Sequence, residues 1–364
     1  MSHATSSLWC ERTSRQKDEL VPRVKSSAAV KAIKCGKPIV IQQGALGEWY
    51  DPKRWTLEAL AHRLKDHEVK NVFRSSTNRF KYYRDDGGPH TSESKLKDTR
   101  TTDGERITMR FGEFLQRATA ASDGAAGSRE HLYLYGEPLP TSVREELPME
   151  KLMSFINIRE KASKETNEEK GSKPFLRPTS MLLWVAADNS SPSISPLHYD
   201  LSDGIILQLK GEKRFILIEE RGHEEAIYPH AISGNFDRQS KIDDIQKPGK
   251  EFDMFQGVKA FQCVLNAGEA LYIPFGCWHQ VESPSESVAI TIRWNPYADT
   301  IRSSTSFRCL ALQQKGSAAP TPPPSLPPNV AEMLYRKMIR DLPKHVANIL
   351  IQRFDAEKEE LQRK

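Results

Sequence analysis

Short runs of β-branched, aliphatic and aromatic residues, each broken by Gly, Pro or a charged turn, fill the stretch from Met181 to Trp294. Gly204 to Leu209 and Lys213 to Ile218 flank Lys210-Gly211-Glu212 and read as two strands joined by a hairpin turn. Leu265 to Pro274, Trp278 to Glu282 and Val288 to Trp294 continue the rhythm, and Met181 to Ala186 opens it. Many short strands punctuated this way predict an all-β sandwich or barrel. Upstream the period changes. Thr56 to Leu64 predicts a helix with Thr56 as N-cap and Leu57, Leu60, Ala61 and Leu64 on one face. Thr108 to Ala118 predicts a second, with Phe111, Phe114 and Leu115 inward. Strands are expected at Ile39–Gln42, Val69–Phe73 and His131–Tyr135. The fold class is therefore mainly β with flanking helices, a barrel preceded by an α/β N-terminal region.

Between these elements the chain turns polar. Residues 1–28, rich in Ser, Lys and Arg, are expected to form a poorly ordered tail. Asp85 to Glu105 reads as a long surface loop, and Arg159 to Lys173 as a charged insert, loop or short exposed helix. One domain is expected over 29–298, with its barrel core at about 180–298. A linker over 299–329 follows, containing the Pro-rich run Lys315 to Asn329 that favours extended polyproline II. In 330–364, Val330, Leu334, Met338 and Leu342 recur at helical spacing, and Val346, Ile349, Leu350 and Phe354 do so after Pro343. This C-terminal helical pair covers either its own domain or a second copy in a homodimer.

A hydrophobic fraction of 38% with 28% charged residues fits a normal core carrying polar tails and insertions. No apolar run approaches the ~20 residues of a membrane span, and the polar N-terminus argues against a secretory signal. A cytoplasmic or nuclear setting is expected. Five scattered cysteines (10, 35, 263, 277 and 309), with no CxxC pair, argue against a disulfide framework or a zinc finger. The net charge of +5 is too mild to advertise nucleic-acid binding. Arg74, Arg79, Lys81 and Arg84 interleave with Phe73, Phe80, Tyr82 and Tyr83, which reads either as an RNA-contacting surface or, preferred here, as a strand with alternating solvated and buried faces.

The densest chemistry lies in Ser195-Pro196-Leu197-His198-Tyr199-Asp200. Residues i and i+2 of a strand share a face, so His198 and Asp200 reach one point while Tyr199 turns away. His279, in Tyr272-Ile273-Pro274-Phe275-Gly276-Cys277-Trp278-His279, is the best third partner. Two His and one carboxylate occupy one face of an octahedral iron and leave the opposite face open. Cys277 reads as a core residue rather than a ligand. Trp184, Trp278 and Trp294 are expected to wall the barrel, with Trp278 facing away from the metal side. His131, His223 and His230 have no assigned role.

The order HYD, GEKRFIL, AGEALYIPFGCWHQVES, AITIRW resembles the JmjC (cupin-like) family of Fe(II)/2-oxoglutarate oxygenases. It looks like the small hydroxylase branch, which includes the asparaginyl hydroxylase that inhibits hypoxia-inducible factor and the tRNA wybutosine hydroxylase. The resemblance runs from about Lys37 to Tyr297. It implies a double-stranded β-helix (jelly-roll) barrel, with His198, Asp200 and His279 holding Fe(II), and 2-oxoglutarate and O2 as co-substrates. Lys213 matches the lysine that binds the distal carboxylate of 2-oxoglutarate, Tyr133 the tyrosine before the barrel, and Ser195 a hydroxyl position of that site. Gly204 and Arg293 depart from the asparaginyl hydroxylase, which carries Asn at or near both places. Arg293 either binds the metal-bound carboxylate of 2-oxoglutarate or faces outward.

The activity so implied is hydroxylation of a macromolecule, a protein side chain favoured. A tRNA nucleoside hydroxylase and a methyl-lysine demethylase are alternatives. Outside that class stand a cupin that binds metal or a partner without turnover, and more weakly an isomerase or hydrolase.

Overall fold

The computed structural model describes residues 19–42, 46–81, 104–120, 130–150, 152, 178–218, 225–229, 238–294, 348, 351, 352 and 355. Among the described residues the strands are β1 (Glu19–Leu20), β2 (Arg23–Val24), β3 (Ile39–Ile41), β4 (Glu68–Ser75), β5 (Gly104–Arg110), β6 (His131–Pro138), β7 (Ser180–Ala186), β8 (Ser193–His198), β9 (Asp203–Lys210), β10 (Glu212–Ile218), β11 (Ala260–Asn266), β12 (Ala270–Ile273), β13 (Trp278–Ser283) and β14 (Ser287–Trp294). A five-stranded sheet runs β1-β11-β10-β13-β8, and a nine-stranded sheet runs β2-β3-β12-β9-β14-β7-β6-β4-β5. From β7 to β14 the chain passes back and forth between them, with only β10 and β11 consecutive in one sheet, so β12-β9-β14-β7 faces β11-β10-β13-β8. That is the sandwich or barrel expected from the strand rhythm, in the jelly-roll form that the resemblance implied.

Side-chain alternation builds the layers. Ile205, Leu207 and Leu209 of β9 and Val288, Ile290, Ile292 and Trp294 of β14 point to the outer face of the large sheet. There they pack on Trp55, Leu60, Leu64, Phe111 and Phe114, which belong to the flanking helical segments. Their neighbours Gly204, Ile206, Ala289, Thr291 and Arg293 point between the sheets and line a cavity. A further apolar layer between the sheets contains Val21, Val40, Phe215, Leu217, Cys263, Leu265 and Leu271. On the outer face of the small sheet, Leu197, Tyr199, Ile216, Ile218 and Trp278 form another cluster.

Three local expectations change. The anticipated hairpin is a corner. β9 pairs with β12 and β14, whereas β10 pairs with β11 and β13, so the chain changes sheets at Gly211. Gly211 has φ +68, and a Cβ there would lie 2.0 Å from the Glu286 carbonyl oxygen, so only glycine fits. Next, residues 104–110, assigned in sequence to a loop and then to the start of a helix, form β5 on the free edge of β4, with Met109 opposite Val69. The helix begins at Phe111 and runs to Ala120; backbone bonds from Phe111 and Gly112 to His67 and Lys65 seat its start.

Third, ordered structure begins before residue 28. β1 pairs with β11, β2 pairs with β3, and a helix spans Ser26–Lys34. Val21, Ala29 and Ile33 are buried there, too sparse among polar residues to announce a strand or helix in sequence. In its described part the basic-aromatic run keeps the buried and solvated sides of the preferred reading, although strand β4 ends at Ser75. Phe73 and Phe80 are buried against Tyr133 and Tyr135. Arg74 pairs with Glu105, Arg79 with Asp244 and Lys81 with Asp243. Tyr82, Tyr83 and Arg84 lie outside the described residues.

The predicted helix at Thr56 is found as Leu57–Leu64, with the Thr56 hydroxyl accepting from the Ala59 N–H at 3.1 Å. The charged insert, the Pro-rich linker and most of the C-terminal pair lie outside the described residues. Within the pair, Ile351 packs on the outer cluster of this same chain's small sheet, in keeping with the own-domain cover. Among the described residues, no helix is long and apolar enough to cross a membrane.

Candidate metal centre

β8 delivers His198 at its last residue, and β13 delivers His279 at its second; the two residues are register partners. Their rings lie 4.3 Å apart between centroids. Asp200 follows on the connection to β9, and the ligand atoms of His198, Asp200 and His279 all fall within 4.8 Å of one another. The free edge of β8 is covered twice. Residues 78–80 bond to Ile194, and residues 238–240 bond to Leu197 and Tyr199. The strand that carries the first ligand is thus held on both sides.

Each imidazole is oriented by the backbone just before it. The Nδ1–H of His198 donates to the Pro196 carbonyl at 2.7 Å, and that of His279 to the Cys277 carbonyl at 2.9 Å. A carbonyl only accepts, so these bonds fix the tautomer and leave each Nε2 lone pair free for a metal. Burial pushes the His198 imidazole down to about 3, with His279 adding to the effect, and burial lowers His279 too. Both rings are therefore neutral near pH 7, as metal ligation requires.

Burial alone would raise the Asp200 carboxyl. Arg293, His198, His279 and Arg238 together outweigh it and hold the group below the usual carboxylate range. Arg293 donates to Asp200 Oδ2 at 2.7 Å, and Arg238 lies 3.7 Å from Oδ1. Arg293 thus lines the cavity and does not face outward.

Lys213 stands in the same cavity, 3% exposed. Its ammonium donates to the Tyr133 hydroxyl at 3.0 Å and to Ser283 Oγ at 2.7 Å. No carboxylate pairs with it among the described residues. Burial pushes it down to about 7 and pushes the Tyr133 phenol up. Ser195 lines the cavity as expected, but the hydroxyl bonded to Lys213 is that of Ser283. The space is narrow, about 50 Å³.

Sequence reasoning missed three residues. Ser283 follows His279 on alternate positions of β13, so the two-residue period of a strand was a usable signal. Arg238 reaches Asp200 from a distant connection, with no signal in its neighbourhood. Asp203, which no motif singles out, is fully buried and bonded to Tyr272 and Phe275.

Of the tryptophans, Trp184 lines the cavity, while Trp278 and Trp294 pack on the outer faces of their sheets. Trp278 thus faces away from the site, against Tyr199. Cys277 packs on the inter-sheet core. His131 lies 3.9 Å from Asp188 and outside the cluster, and His223 and His230 are outside the described residues.

A jelly-roll whose cavity presents two imidazoles and a carboxylate at one end defines a cupin. The chain belongs to the cupin-like domain family, whose profile matches residues 27–300. It is 35% identical over 98 residues to JmjC domain-containing protein D of Dictyostelium discoideum, covering 27% of this chain and 22% of that protein. It is 28% identical over 108 residues to lysine-specific demethylase JMJ30 of Arabidopsis thaliana, covering 30% and 25%. A longer match, 23% identical over 259 residues, is to tRNA wybutosine-synthesizing protein 5 of Danio rerio, covering 71% of this chain and 68% of that protein. The matched stretch spans about a quarter of the length of the first two of these relatives.

Proposed function

We propose that this protein is an Fe(II)- and 2-oxoglutarate-dependent dioxygenase that hydroxylates a protein side chain. The observation that carries this reading is a buried ammonium, Lys213, without a carboxylate partner among the described residues, in the same cavity as a His-Asp-His cluster. A cupin that only bound metal would gain nothing from a buried cation, whose desolvation is costly unless an anion joins it. A dicarboxylate co-substrate supplies that anion. The donor set fits iron: two neutral imidazoles, one ionised carboxylate and an open face.

In this reading His198, Asp200 and His279 hold Fe(II). The bound iron with 2-oxoglutarate and O2 supplies the oxidising power, releasing succinate and carbon dioxide and placing one oxygen atom in a C–H bond of the substrate. Lys213, with the Tyr133 and Ser283 hydroxyls, grips the distal carboxylate of 2-oxoglutarate. Arg293 keeps Asp200 ionised and turned to the metal, and stands where it meets the co-substrate's other carboxylate.

The relatives' names point to tRNA and to lysine demethylation as well. The ion-paired Arg79 and Lys81 and the buried Phe73 and Phe80 weigh against a nucleic-acid surface at that edge, and favour protein. Demethylation of methyl-lysine begins with the same hydroxylation step. The test is succinate release from 2-oxoglutarate with Fe(II), measured with peptide and with tRNA fractions. Peptide-stimulated turnover supports the reading, tRNA-stimulated turnover replaces the substrate, and no turnover under any condition rejects the enzyme.

A further inference from the structure

We infer that Asp203 is a positioning residue for the metal centre, setting the His279 imidazole through the turn at residues 274–277. The inference rests on the metal-binding reading above. Asp203 opens β9, three residues after Asp200, and is fully buried. Its Oδ2 accepts from the Tyr272 hydroxyl at 2.9 Å, and its Oδ1 from the Phe275 N–H at 2.8 Å. The Gly276 N–H donates to the Asp200 carbonyl at 3.0 Å, and the Cys277 N–H closes the turn onto the Pro274 carbonyl at 3.2 Å. The Cys277 carbonyl then receives the Nδ1–H of His279. A continuous path of short bonds thus runs from the Asp203 carboxylate to the ring that faces the metal.

The backbone ladder does not do this work. β12 pairs with β9 only as far as Ile273 opposite Gly204, and Phe275 lies beyond its end. Without Asp203 the turn would keep its bond to the Asp200 carbonyl but lose its tie to β9. A carboxylate suits the task because two donors approach from different directions and each needs an acceptor. An amide offers one acceptor and satisfies both partners only if its NH2 turns to the Tyr272 hydroxyl, which then accepts instead of donating. A buried carboxylate is costly to keep for stability alone, since apolar replacements of buried charges are often neutral or better. Its value here is geometric. Partners that orient a ligating histidine typically change metal affinity about 10- to 100-fold when removed.

The test uses Co(II) as the probe, on the full chain. Wild type, Asp203→Leu, Asp203→Ala, Asp203→Asn, Tyr272→Phe and the control Tyr50→Phe are compared by calorimetric titration, Co(II) visible absorption and thermal unfolding. Tyr50 bonds the Leu209 carbonyl on the same strand, away from the turn. Asp203→Ala and Asp203→Leu, which remove both acceptors, are expected to bind Co(II) about tenfold or more weakly and to show an altered Co(II) spectrum, while Asp203→Asn, which keeps one acceptor for the Phe275 N–H, restores part of the affinity. Tyr272→Phe, which leaves the Phe275 bond in place, and Tyr50→Phe should lower stability while leaving affinity and spectrum as in wild type. Should Asp203→Ala fail to fold, Asp203→Leu, of nearer size, decides. A folded Asp203→Ala or Asp203→Leu with wild-type affinity and spectrum overturns the role of Asp203, as does an affinity loss equalled by Tyr50→Phe at the same loss of stability. A wild type that takes up no Co(II) rejects the metal site itself, a separate outcome.

Discussion

Lys213 carries an ammonium into a cavity where hydroxyls are its only bonded partners among the described residues. Burial lowers its folded-state value to about 7, against 10.5 for an ordinary lysine. The unfolded chain therefore binds this proton more tightly than the folded one. Stability from this group is full above pH 10.5, is lost as pH falls, and changes no further below about pH 7. The expected result is a wild-type Tm whose pH dependence between these limits contains a rising contribution that Lys213→Met removes. A dicarboxylate favours the charged lysine, so 2-oxoglutarate binding near neutral pH should take up a proton, visible as a buffer-dependent heat. Lys213→Met should weaken 2-oxoglutarate at least tenfold, as loss of a buried charged partner does, while Co(II) affinity stays put; parallel losses of both would sink the assignment. Ser283→Ala should raise the 2-oxoglutarate KM about tenfold or more, the worth of one hydrogen bond to a charged group, and Ser195→Ala should do less. The metal residues were legible from the His-x-Asp spacing and the later His, although Asp200 lies on the connection after β8 and not on the strand that the spacing assumed. Ser283 was within reach of the two-residue period counted from His279, whereas Asp203 was not legible, since an aspartate near a strand end looks the same in sequence whether it faces solvent or a buried donor.

Among the elements, apolar alternation located nearly every barrel strand but not which sheet each joined. A Lys-Gly-Glu turn between β runs is compatible with a hairpin and with a corner, and only the pairing partners of β9 and β10 separate them. Likewise the apolar residues of 105–115 satisfy a helical period in part, and the free edge of β4 captures the first half as β5. Tertiary pairing overrides local preference there. The corner makes a sharp prediction. Gly211→Ala places a Cβ against the Glu286 carbonyl at a φ that alanine rarely adopts. Strain of this kind costs about 1–3 kcal/mol, so the variant should show an earlier denaturant midpoint. Because Lys213 lies two residues on, its grip on 2-oxoglutarate should weaken too. An unchanged midpoint would mean that the corner has room the geometry denies.

For the molecule as a whole, the open matter is which surface meets the substrate. A net charge of +5 is mild, and the run that most resembled an RNA surface is spent internally where it is described. Arg79 bonds the Asp243 carbonyl at 2.6 Å and pairs with Asp244 at 2.8 Å, and Lys81 pairs with Asp243 at 2.9 Å. These contacts fasten residues 243–244 to the segment that covers the edge of β8, the strand carrying His198. Their role in this arrangement is to brace the barrel. Arg79→Ala should therefore cost about 1 kcal/mol of stability, the upper range for a partly exposed ion pair. It should leave retention of bulk tRNA unchanged. Phosphate contacts reveal themselves by salt, since each neutralised phosphate steepens the fall of affinity with ionic strength. The expected outcome is weak tRNA binding with a shallow slope that is the same for wild type and Arg79→Ala. A steep slope flattened by Arg79→Ala would show that Arg79 leaves its aspartates for phosphate, and would move the substrate from protein to RNA.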